Sequence, residues 1–457
     1  MRKENEGMDD NRYARFKRIY EQYQADPEYR RFIREDADAA AEAAGLFGSD
    51  GAEVLEAVMA VLGGKIGEHM DNQYVAEFAA RIQPVLDYAF SSMAADRYKN
   101  SNTAAFVEKS LRRSRMESAL FRRNTQIRYI PLAFELSVGC KVGCSFCGLE
   151  AGRFKENYPY REGREQWRRI CSSAYDFLGE IAGQAPLYFA TEPLDHPDYE
   201  GFLSDVMEIT GQLPQTTTAA AERDTDRTTR LMSFIGEEGL RMRGRLRISI
   251  RSLGQFKKIM EDFSPEELIG VELIINNPES VKAISVSGRL YKRGAFKDRL
   301  PVKYSVSCLS GVLVNLCHGT LTFMEPVMPD ESHRRGIREF ETVHFSDHLE
   351  FADGIKELFN RYGRDTPEKE DRLTLNRAVR VVKKEDHIIF AGGGAGYSIK
   401  RNFYTEKLID KLLSEKAIIF SELAYETGLS EEKQNELDTL IAKLFEKGYI
   451  VLGTVTE

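Results

Sequence analysis

The chain has 457 residues, a formal net charge of −8 and a charged fraction of 30%. This length exceeds one ordinary core and predicts about two to four domains. The acidic balance argues against a nucleic-acid binder, and no apolar run approaches the roughly 18 residues of a membrane span. Six cysteines are too few for a disulfide framework, and 1–11 lacks the apolar core of a secretory signal, so we expect a cytoplasmic protein with reduced thiols.

Residues 1–128 are predicted to form a helical domain followed by a basic linker helix. Apolar residues recur at spacings of three and four from Tyr13 to Tyr23, which is typical of one helix face. Asp26-Pro27 predicts an N-cap and a first-turn proline, and Gly45 predicts a helix end. The basic stretch 106–123 is either a solvated linker helix or a surface that grips an acidic peptide.

Residues 129–307 have the alternating texture of an α/β domain. Ile130, Leu132, Phe134, Leu136 and Val138 alternate as in a strand. Further strand-like segments are predicted at 187–190, 215–218, 246–250, 271–275 and 303–307, and helical segments at 165–181, 199–211, 226–236 and 265–268. Strands that alternate with helices predict a parallel sheet with helical crossovers, and six such strands fit an open barrel.

The remaining residues predict two smaller units. Strands at 312–315 and 320–323 flank His318-Gly319 and predict a hairpin, which opens an extension over 308–403 that covers the substrate. Residues 404–457 predict a winged-helix-like domain. This last segment is rich in acidic side chains, so peptide recognition is a better expectation than binding to duplex DNA.

The motif that carries chemistry is formed by Cys140, Cys144 and Cys147, which follow the first predicted strand with the spacing C-x3-C-x2-C. Three thiolates on one loop can hold three irons of a [4Fe–4S] cluster and leave the fourth iron open to an external ligand. The alternatives are a zinc site, which would want a fourth ligand at similar spacing, and unrelated buried thiols.

This motif, with Phe146 before its third cysteine and an alternating β/α chain around it, resembles the radical S-adenosylmethionine (SAM) superfamily. Over 130–307 the resemblance implies a partial (β/α)6 barrel whose cluster binds S-adenosyl-L-methionine. It further implies reductive cleavage of SAM to a 5′-deoxyadenosyl radical that abstracts hydrogen from a substrate. A reductant such as flavodoxin or ferredoxin is the implied electron source.

The same resemblance assigns roles to individual residues. It places Phe146 beside the adenine, Glu192 on the SAM ammonium, Ser249 on the ribose and Arg251 on the SAM carboxylate. It places Asn276, at the end of the fifth predicted strand, near the adenine. Ala190-Thr191 departs from the usual pair of glycines before Glu192, and Ser249 with Arg251 could instead be a polar strand face that pairs with its neighbours.

The flanking segments resemble radical SAM maturases of ribosomally synthesised peptides, and among these the proteusin-type peptide epimerases. They are Phe134-Glu135-Leu136-Ser137, Cys147-Gly148-Leu149-Glu150, 192–199 and 214–218. The resemblance implies a precursor peptide, leader plus core, as substrate and L-to-D epimerisation at Cα as the reaction. Non-catalytic cluster proteins and radical SAM enzymes of small molecules are the rival classes.

An epimerase needs a second hydrogen donor, and a cysteine thiol suits this role. Cys308, predicted to end the sixth strand at the barrel mouth, is the first candidate, and Cys317, at the hairpin tip, is the second. Cys171 lies inside a predicted amphipathic helix and is expected in the core. Pro326-Val327 stands where such epimerases tend to carry Pro-Cys, so a splicease (backbone excision) or another radical C–C or C–S modification is the alternative.

Overall fold

The computed structural model shows a mixed α/β protein. It describes residues 10–91, 104, 129–241, 245–281, 286–293, 305–364, 366–376, 378–392, 395–414, 417–425 and 430–453. The predicted linker helix at 106–123 lies outside these ranges. Across the described residues, every helix is too short or too polar to cross a membrane.

The N-terminal helical prediction is confirmed for the described residues. The helices are α1 Asp10–Ala25, α2 Pro27–Glu35, α3 Ala37–Ala43, α4 Gly51–Gly63 and α5 Gln73–Ser91. The carboxylate of Asp26 caps α2, because its Oδ1 accepts from the Glu28 N–H at 2.8 Å. Phe16 stacks on Tyr74 with ring centroids 5.3 Å apart, so these helices enclose a core of their own.

A three-stranded parallel sheet follows the helical crossover pattern. Its strands have the order β4-β5-β6. In chain order, the elements from residue 130 to residue 293 are β1 Ile130–Glu135, β2 Ser137–Val138, β3 Glu156–Asn157, α6 Tyr160–Leu178, α7 Tyr199–Thr210, β4 Thr216–Thr218, α8 Thr225–Arg241, β5 Leu246–Ile250, α9 Leu253–Asp262, β6 Glu272–Ile275 and α10 Arg289–Arg293. Short 3-10 turns occur at Ile66–Glu68, Gly179–Gln184, Pro193–Asp195 and Ala221–Arg223. On β5 the apolar side chains face the helices and are fully buried, whereas Arg247 and Ser249 face the other way and are half-buried.

A second sheet has the order β1-β7-β8-β9. It adds β7 Leu309–Asn315, β8 Thr320–Pro326 and β9 Ile337–His344, and α11 His348–Tyr362 packs on it. β7 runs parallel to β1, and the other pairs are antiparallel. The predicted hairpin is confirmed, with Gly319 in the left-handed region at φ 58°.

Three predicted elements are wrong in the described chain. Residues 187–190 form no strand. The backbone hydrogen bond from the Phe134 N–H to Pro186 O at 2.9 Å joins this segment to β1, but the pairing does not continue as a ladder. Residues 265–268 form a turn rather than a helix. Residues 305–307 are not a strand either, and 303–304 lie outside the described residues; the strand begins at Leu309. Cys308 therefore precedes a strand and does not end one.

Trp167 joins the sheet to its covering helices. It is fully buried, and its ring meets Phe134 of β1 at 5.1 Å and Phe202 of α7 at 5.3 Å, both edge to face. This contact fixes α6 and α7 against β1. It thereby anchors both ends of the loop that connects β1 to α6.

The C-terminal unit is built around β10, which pairs with both β14 and β15. Its elements are β10 Arg372–Leu375, β11 Arg380–Lys383, β12 His387–Gly392, β13 Ala395–Lys400, α12 Phe403–Ser414, β14 Ile418–Ile419, α13 Phe420–Tyr425, α14 Glu431–Glu446 and β15 Ile450–Leu452. Leu373 and Phe390 belong to its buried core. The packed unit therefore includes strands that lie before the predicted boundary at residue 404.

Candidate functional site

The motif cysteines lie on a loop that is closed at its base. β2 and β3 pair across the loop ends, and the Cys140 N–H donates to Gly152 O at 3.0 Å. The Lys141 N–H donates to the Asp195 carboxylate at 2.6 Å. Cys140, Cys144 and Cys147 are all half-buried, so residues 139–155 form a defined loop that presents these thiols at its surface. We call it the thiol loop.

Two glycines allow this loop to close. Gly139 has φ 79°, and a Cβ there would lie 2.2 Å from the Arg153 carbonyl oxygen. A Cβ on Gly148 would lie 2.5 Å from Val306 Cγ2 and 2.7 Å from Ser287 Oγ. A larger residue at either position would have to push neighbouring atoms aside.

The sulfur atoms have backbone donors and a desolvated setting. The Val142 N–H donates to Cys140 Sγ at 3.3 Å, and the Ala151 N–H donates to Cys147 Sγ at 3.4 Å. Burial raises the pKa of Cys140, and burial raises the pKa of Cys144 to about 11. A ligand that takes thiolates must therefore displace protons from the loop.

The three thiols are close in sequence but do not yet form a closed ligand set. Within the described part of the chain, no group of three or more His, Cys, Asp or Glu side chains already converges on a common metal position. The charges of Cys140 and Cys147 nevertheless act on the pKa of Cys144, which places the three thiols in one electrostatic neighbourhood. Three soft thiol ligands and N–H donors to two of their sulfurs suit iron–sulfur chemistry, provided that the side chains rotate toward one another.

Glu192 is a buried carboxyl group close to the thiols. It is 3% exposed and accepts from Thr218 Oγ1 at 2.6 Å, the Ala219 N–H at 2.8 Å and the Leu194 N–H at 3.2 Å. Burial raises its pKa to about 7 despite these bonds. A carboxylate offers about four acceptor positions, so Glu192 retains capacity for a further cationic donor.

Arg251 also reaches this neighbourhood. Its Nη2 donates to Glu222 Oε1 at 2.5 Å and its Nε donates to Ala219 O at 3.1 Å, while its charge lowers the pKa of Cys144 against the larger effect of burial. The guanidinium is thus already paired with Glu222, and an anionic ligand would share it.

The other predicted cofactor residues are positioned less closely. Ser249 is half-buried on β5, beside the ion pair from Arg247 Nε to Glu272 Oε2 at 2.9 Å. The Asn276 N–H donates to Ile250 O at 3.0 Å, so Asn276 extends the backbone pairing between β5 and β6 by one residue. Phe146 is half-buried within the thiol loop. The structure therefore places the charges of Glu192 and Arg251 where they act on the pKa of Cys144, and Phe146 adjoins Cys147 along the chain.

Sequence reasoning missed Arg289. Its Nη1 donates to Cys144 O at 2.5 Å, its Nη2 donates to Ala151 O, and its backbone N–H donates to Cys147 O at 3.0 Å. One residue thereby holds the loop on both sides of the third cysteine. Its distance along the chain hides this contact, and the only local signal is the Ser287-Gly288 turn that precedes it.

The remaining cysteines occupy different environments. Cys308 packs against a small buried cluster that includes Ala133, and Leu149 of the thiol loop packs against the same cluster. Cys317 packs against the helix-covered face of the sheet and donates to Leu136 O at 3.7 Å; burial raises its pKa to about 12. Cys171 is 4% exposed within α6, which confirms its predicted place in the core.

Comparison with known proteins gives one uncharacterized relative. The chain is 34% identical over 310 residues to the uncharacterized protein y4wI of Sinorhizobium fredii (strain NBRC 101917 / NGR234). The match covers 65% of this chain and 58% of that protein, so the chain spans under two thirds of the relative's length. No family model and no solved structure match the chain.

Proposed function

We propose that this protein is a radical SAM enzyme that modifies a ribosomally synthesised precursor peptide by hydrogen abstraction, with L-to-D epimerisation at Cα as its reaction. The observation that carries the proposal is the thiol loop: Cys140, Cys144 and Cys147 share one closed loop with N–H donors to two sulfurs, and Glu192 and Arg251 lie in the same electrostatic neighbourhood. The site needs both thiol ligands and a carboxylate near them, and the chain supplies both.

The proposed barrel is partial and spans 129–307. Four strands and one irregular segment follow one another as β1, 186–190, β4, β5 and β6, and α6 to α9 connect them. Phe134 N–H to Pro186 O joins the first two segments, and Tyr188 Oη to Thr217 Oγ1 at 2.6 Å joins the second to the third. Parallel ladders join the rest. This sequential order is what a (β/α) barrel that opens on one side requires.

When bound, a [4Fe–4S] cluster and SAM would supply a 5′-deoxyadenosyl radical able to take a hydrogen atom from Cα. Cys140, Cys144 and Cys147 would hold the cluster, and the Val142 and Ala151 N–H groups would stabilise thiolate charge. Glu192 would accept a bond from the SAM ammonium.

Arg251 and Glu222 would present a paired charge to the SAM carboxylate. Ser249, Asn276 and Phe146 are the proposed ribose and adenine neighbours. Each of these residues binds or orients SAM and contributes no proton transfer of its own.

The placement of Cys308 supports epimerisation. Cys308 and Leu149 of the thiol loop both pack against the small cluster around Ala133, whereas Cys317 packs against the main core under the helices. We therefore retain Cys308 as the proposed hydrogen donor, with Cys317 as the second candidate. Because Cys308 precedes β7 and Pro326-Val327 carries no thiol, backbone excision or C–C or C–S bond formation is the alternative reaction.

The units outside the barrel support a peptide substrate. The N-terminal helices and the C-terminal unit each have a separate core, and a small-molecule reaction needs neither. We propose that they serve the leader of the precursor peptide. The proposed domains are then 1–128, 129–307, 308–403 and 404–457. The strands from residue 372 onward lie in the third of these ranges but share a core with the fourth.

The test is co-expression with a neighbouring precursor peptide in D2O, followed by mass spectrometry. Epimerisation predicts a gain of about one mass unit per modified residue, and the Cys308→Ala variant should still cleave SAM but lose deuterium incorporation. Peptide mass loss would replace epimerisation with excision, and loss of two hydrogens would replace it with cross-linking. Cys171→Ala is the matched control, because this thiol is in the core. An unmodified peptide with no 5′-deoxyadenosine release would contradict the proposal.

A further inference from the structure

The exposed charges around the thiol loop are mostly basic, in a chain whose net charge is −8. Within the thiol loop the exposed charged side chains are Lys141, Arg153 and Lys155, and the next exposed charges along the chain are Glu156, Arg161 and Glu162. The local charge thus opposes the overall charge. A local reversal of this kind concentrates positive potential where the thiols reach the surface.

Three of these residues lie against the first cysteine. The Arg153 backbone forms a bridge with Cys140, the Lys155 N–H donates to Val138 O at 2.8 Å, and Lys141 follows Cys140 directly. We call Lys141, Arg153 and Lys155 the Cys140 rim. Lys141 Nζ lies 4.1 Å from the centroid of the Phe154 ring, so one cation of the rim lies over an aromatic ring.

The rim charges are available to a partner. Within the described part of the chain, none of the three side chains has an acidic partner; the recorded contact is that of Lys141 with Phe154. Many other exposed cations are paired, as Lys65 is with Glu68 and Lys433 with Glu436. Unpaired cations around an aromatic residue fit a protein interface with a charged edge better than they fit a self-contained surface.

We propose that the Cys140 rim is the docking surface for an acidic one-electron carrier protein. The inference rests on the proposed function, because a cluster held by the thiol loop must receive one electron from outside. The carrier would give up one electron, a cluster held by Cys140, Cys144 and Cys147 would accept it, and no covalent bond would form or break. A carrier docked at the rim would contact Lys141 and Arg153, which adjoin Cys140 in sequence and by backbone pairing, respectively.

The test measures binding of a purified acidic bacterial flavodoxin by isothermal titration calorimetry, with both the metal-free and the reconstituted protein. Changing Lys141, Arg153 and Lys155 together to Glu should raise the Kd about tenfold or more at low ionic strength, and salt should weaken the wild-type complex steeply. The rate of flavodoxin hydroquinone oxidation should fall by a similar factor.

A matched control carries the same charge change elsewhere. It replaces by Glu three lysines whose side chains are 61%, 49% and 44% exposed, one each on the N-terminal unit, α9 and the C-terminal unit: Lys65, Lys258 and Lys433. Its Kd for flavodoxin should stay within about twofold of the wild type at moderate salt. Equal weakening in the rim variant and the control would overturn the docking surface, since only net charge would then matter.

Two further outcomes separate this inference from the proposed function. With dithionite as a chemical reductant, the loss of 5′-deoxyadenosine release per bound iron in the rim variant should be about tenfold smaller than its loss with flavodoxin hydroquinone. If the two losses are equal, or if the rim substitutions leave flavodoxin binding unchanged, the docking surface is refuted, while release by the wild type still supports the enzyme function. If the rim variant instead loses precursor-peptide binding alone, the rim is a peptide site and the inference is equally refuted.

Discussion

Replacing Glu192 by Gln tests whether this buried carboxyl group titrates near neutrality. Burial raises its pKa from the ordinary 4.5 to about 7, so the folded protein retains a proton that the unfolded chain releases. The associated stability is complete below about pH 4.5 and is lost as the pH rises to about 7. Between pH 5.5 and pH 8 the stability lost through ionisation of Glu192 amounts to about 2 kcal/mol, which is about thirtyfold in the equilibrium constant for opening.

The assay is hydrogen exchange of the segment around Ala219, whose N–H donates to Glu192, with intrinsic exchange rates corrected for pH. The wild-type protein should lose about 2 kcal/mol of local opening free energy between pH 5.5 and pH 8 relative to Glu192→Gln, because the amide cannot ionise. Other titrating groups affect the wild type and the variant equally, so their contributions cancel in the difference between the two proteins. Parallel behaviour of the two proteins across this range would refute the reasoning.

Three other substitutions test the architecture. Gly148→Ala should impair iron retention after reconstitution, because its Cβ would meet Val306 Cγ2 at 2.5 Å, whereas Gly152→Ala, with nothing within 4 Å of the new atom, should retain iron normally. Arg289→Lys should lower the free energy of unfolding by about 1–2 kcal/mol and reduce iron content, since one ammonium cannot replace both guanidinium bonds to the thiol loop; unchanged thermal stability and iron content would contradict this. Asp205→Asn should cost about 2 kcal/mol by thermal unfolding at neutral pH, because its buried carboxylate accepts from two arginines. Burial alone would raise its pKa, but those arginines lower it, so the wild-type advantage should persist above pH 4 and vanish only in stronger acid.

Local patterns predicted the elements whose stability is local. Asp26-Pro27 caps a helix because the cap and the proline act within one turn. Leu246–Ile250 is a strand within the predicted bounds, because its alternation matches one buried and one half-buried face. The thiol loop was also predictable, since three cysteines and their glycines are close in sequence.

Long-range pairing could not be predicted in the same way. The apolar segment 187–190 has strand composition, yet the Ala190 N–H donates to the Glu135 side chain at 2.9 Å instead of joining a ladder. Leu373 pairs with Leu452, so the C-terminal unit draws a central strand from a region that shows little pattern. The Arg289 contacts with the thiol loop likewise depend on how distant segments fold together. Side-chain competition and distant partners decide these cases, and neither is visible in a short window of sequence.

Whether the thiol loop holds a SAM-binding cluster is measured by electron paramagnetic resonance of the anaerobically reconstituted, dithionite-reduced protein before and after addition of SAM. We expect a [4Fe–4S] signal whose shape changes when SAM binds and which is lost when Cys140, Cys144 and Cys147 are replaced by Ala. A signal that SAM leaves unchanged, or a protein that holds zinc and yields no iron–sulfur signal, would contradict it.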